Sequence, residues 1–224
     1  MKSRLYILPV LFILAMLLAG FLRYSGTVDS PLASLSGFAT PLYVIFTVVF
    51  IIQYRQIGVN FKRFGFGLGF RLSHVGMAVI AVIVLQLSAT VVGPILENVF
   101  GGERDLSRFS DVQGSLQALF LTLALSWSFA AFGEEIAYRI VLLGGLIKAL
   151  GNSKGALIVA VVLQAMVFGL VHLYQGPVGV IGASVSGLVF GTVTVLARGA
   201  IWPAALAHGI NNSIGLFSIY QGQS

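Results

Sequence analysis

Two neighbouring glutamates, Glu134 and Glu135, stand in the most apolar part of a very apolar chain, within Phe132-Gly133-Glu134-Glu135-Ile136-Ala137-Tyr138-Arg139. An ionisable group in hydrocarbon is costly unless it is paired or faces a wet cavity, which makes it a candidate functional residue by default. Arg139 follows Glu135 at the spacing and in the order preferred for a helical ion pair, and one arginine neutralises one carboxylate. Glu134 lies about 100° further round a helix and needs a different partner. The polar candidates on later segments are Gln164, His172, His208, Asn211 and Asn212. His208 and Asn212 are also i and i+4 and share one helix face. A carboxylate, two imidazoles and a carboxamide meeting in a desolvated pocket suit hydrolysis. The carboxylate and a histidine would take a proton from water, and the remaining groups would steady the developing oxyanion. The competing reading is that these groups only tie four helices together by hydrogen bonds. A third histidine, His74, sits beside a basic loop and reads as an interfacial residue.

Glu134-Glu135-x-x-x-Arg139, Phe168-x-x-x-His172 and His208-x-x-x-Asn212 follow one another in this order. Together they resemble the three motifs of the CAAX proteases and bacteriocin-processing enzymes family, also called the Abi family, which includes the type II CAAX prenyl endopeptidases. The resemblance covers about residues 127–217, and the N-terminal half adds apolar spans but no motif. It implies a glutamate-dependent intramembrane peptidase acting on a membrane-embedded or prenylated peptide. Under it, Glu134 activates the water with His172 as its partner in proton transfer. His208 and Asn212 stabilise the tetrahedral oxyanion, and Glu135 with Arg139 is the structural pair, in agreement with the charge assignment above. Tyr138 and Phe168 are expected to support the site. Two departures touch no proposed catalytic group: Ile140 follows Arg139 where members often have glycine, and Tyr138 stands where phenylalanine is common. Asn211 competes with Asn212 for the carboxamide role, and the spacing from His208 favours Asn212.

Zinc is the metal to weigh, since its catalytic sites use three protein ligands and a water. The chain has no His-Glu-x-x-His pair, Glu135 is better used by Arg139, and the resemblance implies a metal-independent mechanism. No metal and no cofactor are therefore expected, with zinc as the minor alternative. The chain contains no cysteine, which excludes disulfides, thiolate metal sites and a cysteine nucleophile. Ser126, Ser128, Ser184, Ser186 and Ser213 lack a Gly-x-Ser-x-Gly setting and read as helix-packing residues. Paired aspartates are absent too, which excludes an aspartyl intramembrane protease.

The elements that must hold these groups are membrane helices. Of 224 residues, 58% are hydrophobic and only 9% charged, with a mean hydropathy of +0.98. A soluble domain is roughly a quarter charged, and several runs here exceed the roughly 18 apolar residues that mark a span. The expected fold is all-α, a polytopic transmembrane bundle of about seven spans. These are 5–22, 38–53, 75–95, 115 to about 150, 156–174, 178–197 and 201 to about 220. Pro94 marks the end of the third, and Gly144-Gly145 is a candidate break in the long fourth. The basic, aromatic segment 54–74 carries a Gly65-x-Gly67-x-Gly69 run without the surroundings of a nucleotide loop, and is expected to lie on lipid headgroups. The chain thus divides into N-terminal spans with this loop (1–114) and a catalytic core (115–224), within a single membrane domain.

Charge sorts by side. With a cytoplasmic N-terminus, Arg23, Arg104 and Arg108 fall outside and the other ten of the thirteen basic residues, Arg139 among them, fall inside. Asp29, Glu97, Glu103, Asp105 and Asp111 are all outer. The net charge of +6 therefore reads as orientation in the cell membrane, not as nucleic-acid binding. Ala183, Gly187 and Gly191 recur every four residues as a packing face that could also serve a homodimer. A transporter would show interrupted helices in both halves, whereas these polar groups fall in the second half, which favours an enzyme over a scaffold, immunity or transport protein. One tension concerns depth. At 1.5 Å per residue, Glu134 is deep toward the inner face and His172 is near the outer one, so the two meet only if helices tilt, kink or start late.

Overall fold

The computed structural model describes residues 2–59, 69–151 and 153–223, and every regular element among them is helical. Eight α-helices form among these residues: α1 (Lys2–Ser25), α2 (Ala39–Gln56), α3 (Leu72–Phe100), α4 (Leu116–Leu125), α5 (Gly144–Leu150), α6 (Lys154–Leu170), α7 (Gly176–Leu196) and α8 (Trp202–Tyr220). Between α4 and α5 the chain runs as π-helix, over Ser126–Glu134 and Ile136–Leu143, so that Leu116–Leu150 is one helix of 35 residues.

Five helices are long and apolar enough to cross a bilayer: Ser3–Ser25, Ala33–Gln56, Leu72–Phe100, Leu116–Leu150 and Leu173–Leu196. Two of the seven expected spans differ from these. α6 has 17 residues, somewhat under the roughly 20 that a full crossing takes, and α8 dilutes its apolar residues with His208, Asn211, Asn212 and two serines. Both are held by other helices, α6 along α7 and α8 along α3 and α7. Leu14, Ile45, Ile80, Val91 and Ile158 are each more than half exposed, while Glu135, Arg139, Gln164 and His208 are buried. Apolar outside and polar inside is the arrangement of a chain whose solvent is lipid. The protein is a helical membrane protein.

Several boundaries depart from the sequence pattern. Pro94 does not end α3, which continues to Phe100 and stops at Gly101 with φ 70°; prolines are tolerated in membrane helices because neighbouring groups satisfy the freed backbone. Gly144-Gly145 does not break the long helix. Both are buried in α5, and a Cβ at Gly145 would run into the Tyr54 hydroxyl, so the glycine lets α2 approach. Tyr54 itself belongs to α2 and is fully buried. Residues 60–68 of the expected interfacial segment, with Lys62, Arg63, Gly65 and Gly67, lie outside the described residues. His74 is buried in the first turn of α3, where its Nδ1 accepts the Arg71 N–H at 3.2 Å and caps the helix.

Small residues decide where helices touch. Ala183, Gly187 and Gly191 are buried in α7, and side chains at the two glycines would press on Ala165 and on the Gln164 amide of α6. That face is filled within one chain, so a second copy would have to dock elsewhere. Gln164 donates to the Gly187 carbonyl at 2.7 Å and the Val161 carbonyl at 3.0 Å, which removes it from the candidates for pairing with Glu134. Arg139 is buried in the core and leaves the count of loop charges. The helices on either side of the 114/115 division interleave: α1 packs on α5, α6 and the turn after α6, and α3 packs on α7 and α8.

Candidate active site

The two carboxylates sit where the helical register changes. Glu134 ends the first π-helical stretch and Glu135 stands before the second. A π-turn closes i→i+5 bonds, is rare, and is frequent at functional sites. Its wider turns hold more residues per unit of rise, so Glu134 lies less deep than a uniform α-helix would put it. His172 follows the end of α6, in the turn that leads to α7.

Glu135 is fully buried and has two partners. Its Oε2 lies 3.0 Å from Arg139 Nε, and its Oε1 accepts the Nδ1 hydrogen of His208 at 2.9 Å. The arginine approach lacks hydrogen-bond alignment, so this contact is Coulombic. The Arg139 side chain is fully buried and its guanidinium is surrounded by rings, with Cζ 4.7 Å from the centre of Phe168, 5.3 Å from Phe190 and 5.9 Å from Tyr138. Ring faces supply the negative quadrupole that a desolvated cation seeks. Phe168 is the hub, its centroid 5.0 Å from Tyr138, 4.9 Å from His172 and 6.0 Å from His208. All three sequence motifs meet at this ring.

Both histidines have a hydrogen placed on Nδ1 by an oxygen that can only accept. His172 Nδ1 lies 2.7 Å from the Phe168 carbonyl oxygen, so the hydrogen is on Nδ1 and Nε2 is left for chemistry. His208 gives its Nδ1 hydrogen to Glu135, and its ring stacks on Phe190 at 4.9 Å and 19°. In each case Nε2 is the ring nitrogen left over from that contact.

Glu134 faces a separate small cavity lined by Met16, Ala19, Gly20, Arg23, Tyr43, Tyr138 and Val171. About 10 Å³ of it is open to the centre of a water molecule, roughly the room that one water needs. Glu134 Oε2 and the Tyr43 hydroxyl are buried with no hydrogen-bond partner in the protein. Val171 in the wall precedes His172, which brings Glu134 to the level of that turn. Most of the wall comes from α1 and α2, which no motif identified. A Cβ on Gly20 would stand 2.7 Å from Val171 Cα, so α1 closes the cavity by direct backbone approach.

Other expected pairings are not made. Among the described residues no hydrogen bond or ion pair joins Glu134 to His172 or His208, and none joins His208 to Asn212. Asn212 Nδ2 donates to Ser126 Oγ at 3.1 Å, whereas Asn211 Oδ1 accepts from Gln86 on α3 at 2.9 Å. The two carboxamides therefore face different helices, with Asn212 turned toward the π-helical stretch that carries Glu134. Among the described residues no three His, Asp or Glu side chains are grouped to hold a metal ion.

Residues 116–214 match the family model for type II CAAX prenyl endopeptidase Rce1-like proteins. The chain carries an Rce1-like domain. This agrees with the resemblance to the CAAX proteases read from the three motifs. The Rce1-like segment contains Glu134, Glu135, Arg139, His172, His208 and Asn212, and both π-helical stretches. α1 and α2, which wall the Glu134 cavity, lie outside it. Comparison of the chain with curated proteins and with solved structures gave no match.

Proposed function

We propose that the protein is an intramembrane endopeptidase of the CAAX type, hydrolysing a peptide bond of a membrane-embedded or prenylated substrate. The observation that carries this reading is the Glu134 cavity, where a buried carboxylate oxygen and a phenol hydroxyl without protein partners face a space the size of one water. In this reading the water is held between Glu134 and Tyr43. Glu134 takes a proton as the water oxygen attacks the scissile carbonyl carbon, and His172 Nε2 shares in moving it. The carbonyl oxygen becomes an oxyanion and accepts hydrogen bonds from His208 Nε2–H and from Asn212, whose amide has two hydrogens and spends one on Ser126. To donate from Nε2 while its Nδ1 hydrogen stays on Glu135, His208 carries a proton on each nitrogen, with the Glu135 carboxylate beside the charge. Collapse of the intermediate breaks the C–N bond, and the proton on Glu134 passes to the leaving amine.

The Rce1-like match supports protease chemistry, and the five spanning helices support a substrate met in the bilayer, with the N-terminus on the cytoplasmic side of the cell membrane. No metal enters the scheme: both Glu135 oxygens are engaged, by Arg139 and His208, and zinc would need three converging protein ligands. Proteolysis by purified protein should survive a zinc chelator; a loss that added zinc restores would return the metal to the mechanism. The decisive experiment compares protein termini in cells producing wild type or Glu134→Gln at equal folded levels. Termini found with the wild type alone would establish proteolysis and name the substrate. Identical sets would leave the polar cluster as an internal tie between helices.

A further inference from the structure

On the basic side of the molecule three helix ends meet around a second cavity. It lies between the start of α3 and the turn from α7 to α8, and is lined by Arg71, His74, Ala197, Arg198 and Ala200. About 150 Å³ of it is open to the centre of a water molecule, roughly ten times what one water needs. Its three polar side chains bring donors. His74 is 4% exposed, and because its Nδ1 accepts the Arg71 N–H, the neutral ring carries its hydrogen on Nε2. No hydrogen bond among the described residues uses that hydrogen. Arg198 is the one non-glycine with positive φ among the described residues, at 57°. Its N–H bonds to the Val195 carbonyl and the Gly199 N–H to the Thr194 carbonyl, the helix ending in which glycine usually takes the left-handed position. Glycine is next in the chain, yet an arginine takes that position at a steric cost and brings a guanidinium to the cavity. No carboxylate pairs with Arg71 or Arg198 among the described residues. Asp29, Glu97, Glu103, Asp105 and Asp111 belong to the opposite side, and Glu134 and Glu135 sit within the bundle. Phe70 lies edge-on to Trp202 at 5.7 Å and to His74 at 6.2 Å, and both Phe70 and Leu72 are exposed. Uncovered apolar side chains and a tryptophan around a basic cavity, at the ends of spanning helices, mark the level of the headgroups.

We propose that Arg71, His74 and Arg198 form a phosphate site, and that its ligand is the headgroup phosphate of an anionic phospholipid. Guanidinium groups match phosphate oxygens with paired N–H edges, and the imidazole N–H adds a neutral donor. Place favours a lipid over a free phosphate. The cavity lies beside the exposed Phe70 and Leu72, and acyl chains of a lipid held there run along α3, which exposes Val75, Val79 and Ile83. A zwitterionic headgroup carries a cation toward two guanidiniums, so the site selects a lipid with net negative charge. The bound phosphate joins the start of α3 to the turn that opens α8, the helix that carries His208 and Asn212 and that Gln86 of α3 holds through Asn211. It clamps the α3–α8 contact and touches no reacting group, so it stands apart from the peptidase reading.

The test titrates the full chain, purified in a non-ionic detergent, with dioctanoyl phosphatidylglycerol, dioctanoyl phosphatidylcholine or inorganic phosphate. Lipid binding is read by native mass spectrometry, and protection by the melting temperature. Phosphatidylglycerol should bind about tenfold more tightly than phosphatidylcholine and raise the melting temperature more, since each arginine near an anionic headgroup is worth about fivefold. Arg71→Gln and Arg198→Gly should each cut the affinity for phosphatidylglycerol about fivefold and leave that for phosphatidylcholine unchanged. Arg198→Gly places the favoured residue in the left-handed position, so without lipid it should melt no lower than the wild type, and its loss of binding then belongs to the charge. Arg55→Gln, on the basic side but not on the cavity wall, should keep the full preference. Equal binding of the two lipids, a preference that survives both cavity variants, or an equal loss in Arg55→Gln would overturn the proposal, the last outcome marking general surface charge. Protection by inorganic phosphate equal to that by phosphatidylglycerol would remove the lipid and leave a site for a free anion.

Discussion

Glu134 and Glu135 are adjacent in the chain but have unlike surroundings. Glu135 is fully enclosed between Arg139 and His208, whereas Glu134 has an oxygen facing a cavity with no protein partner. Removing one member of a buried ion pair costs about 3–5 kcal/mol, so Glu135→Gln should lower the melting temperature strongly. Glu134→Gln should melt near the wild type and lack activity; the opposite order would exchange the roles. The two asparagines separate in the same way. Asn212→Ala should lower kcat about 100- to 1000-fold, the range for an oxyanion donor, while Asn211→Ala should loosen α8 from α3 and keep kcat, as steady-state kinetics and melting together would reveal. The carboxylates and histidines were legible because charge in an apolar run is costly enough to need a reason. The Glu135–His208 contact was not, because spacing rules pair residues within one helix and these two are 73 positions apart. A carboxylate has two oxygens, and assigning one to Arg139 left the other unconsidered.

At the scale of elements, the π-helical stretches and the small residues do what composition does not reveal. α and π turns use the same apolar residues, so hydrophobic periodicity could not announce the change of register at Ser126, nor the gain in height that it gives Glu134. Proline and glycine were over-read as breaks, at Pro94 and at Gly144-Gly145, because rules learned in water penalise them more than a lipid-embedded bundle does. Gly20 shows the opposite role, since its missing side chain is what lets α1 meet Val171. Gly20→Val should hold α1 away from the turn that carries His172 and cut activity about a hundredfold, the usual cost of an ångström-scale misplacement, with helix content by circular dichroism unchanged. Gly76→Ala, whose Cβ would meet nothing, should leave both readouts at wild-type values. Equal effects of the two substitutions would show that the approach of α1 does not matter to the site.

For the whole molecule, composition alone made the membrane class legible, because a soluble domain is typically about a quarter charged and this chain is 9% charged. The number of spans was less legible: α6 presents apolar side chains such as Ile158 and Met166 to the outside but has only 17 residues, and α8 mixes His208, Asn211 and Asn212 into its apolar run. The charge bias predicts that a reporter fused to the N-terminus reads as cytoplasmic, and an external reading would invert the assignment of Arg23, Arg104 and Arg108 to the outer side. The Rce1-like segment holds every motif residue, yet Met16, Ala19, Gly20, Arg23 and Tyr43, which lie upstream of it, form much of the container in which Glu134 would work. What is recognisable by descent and what is complete as a working unit are therefore not the same stretch of chain. Exchanging residues 116–214 between related proteins would move the reactive groups into a foreign vessel, so preference for one substrate over another should travel with the first two helices even when the chemistry travels with the motifs.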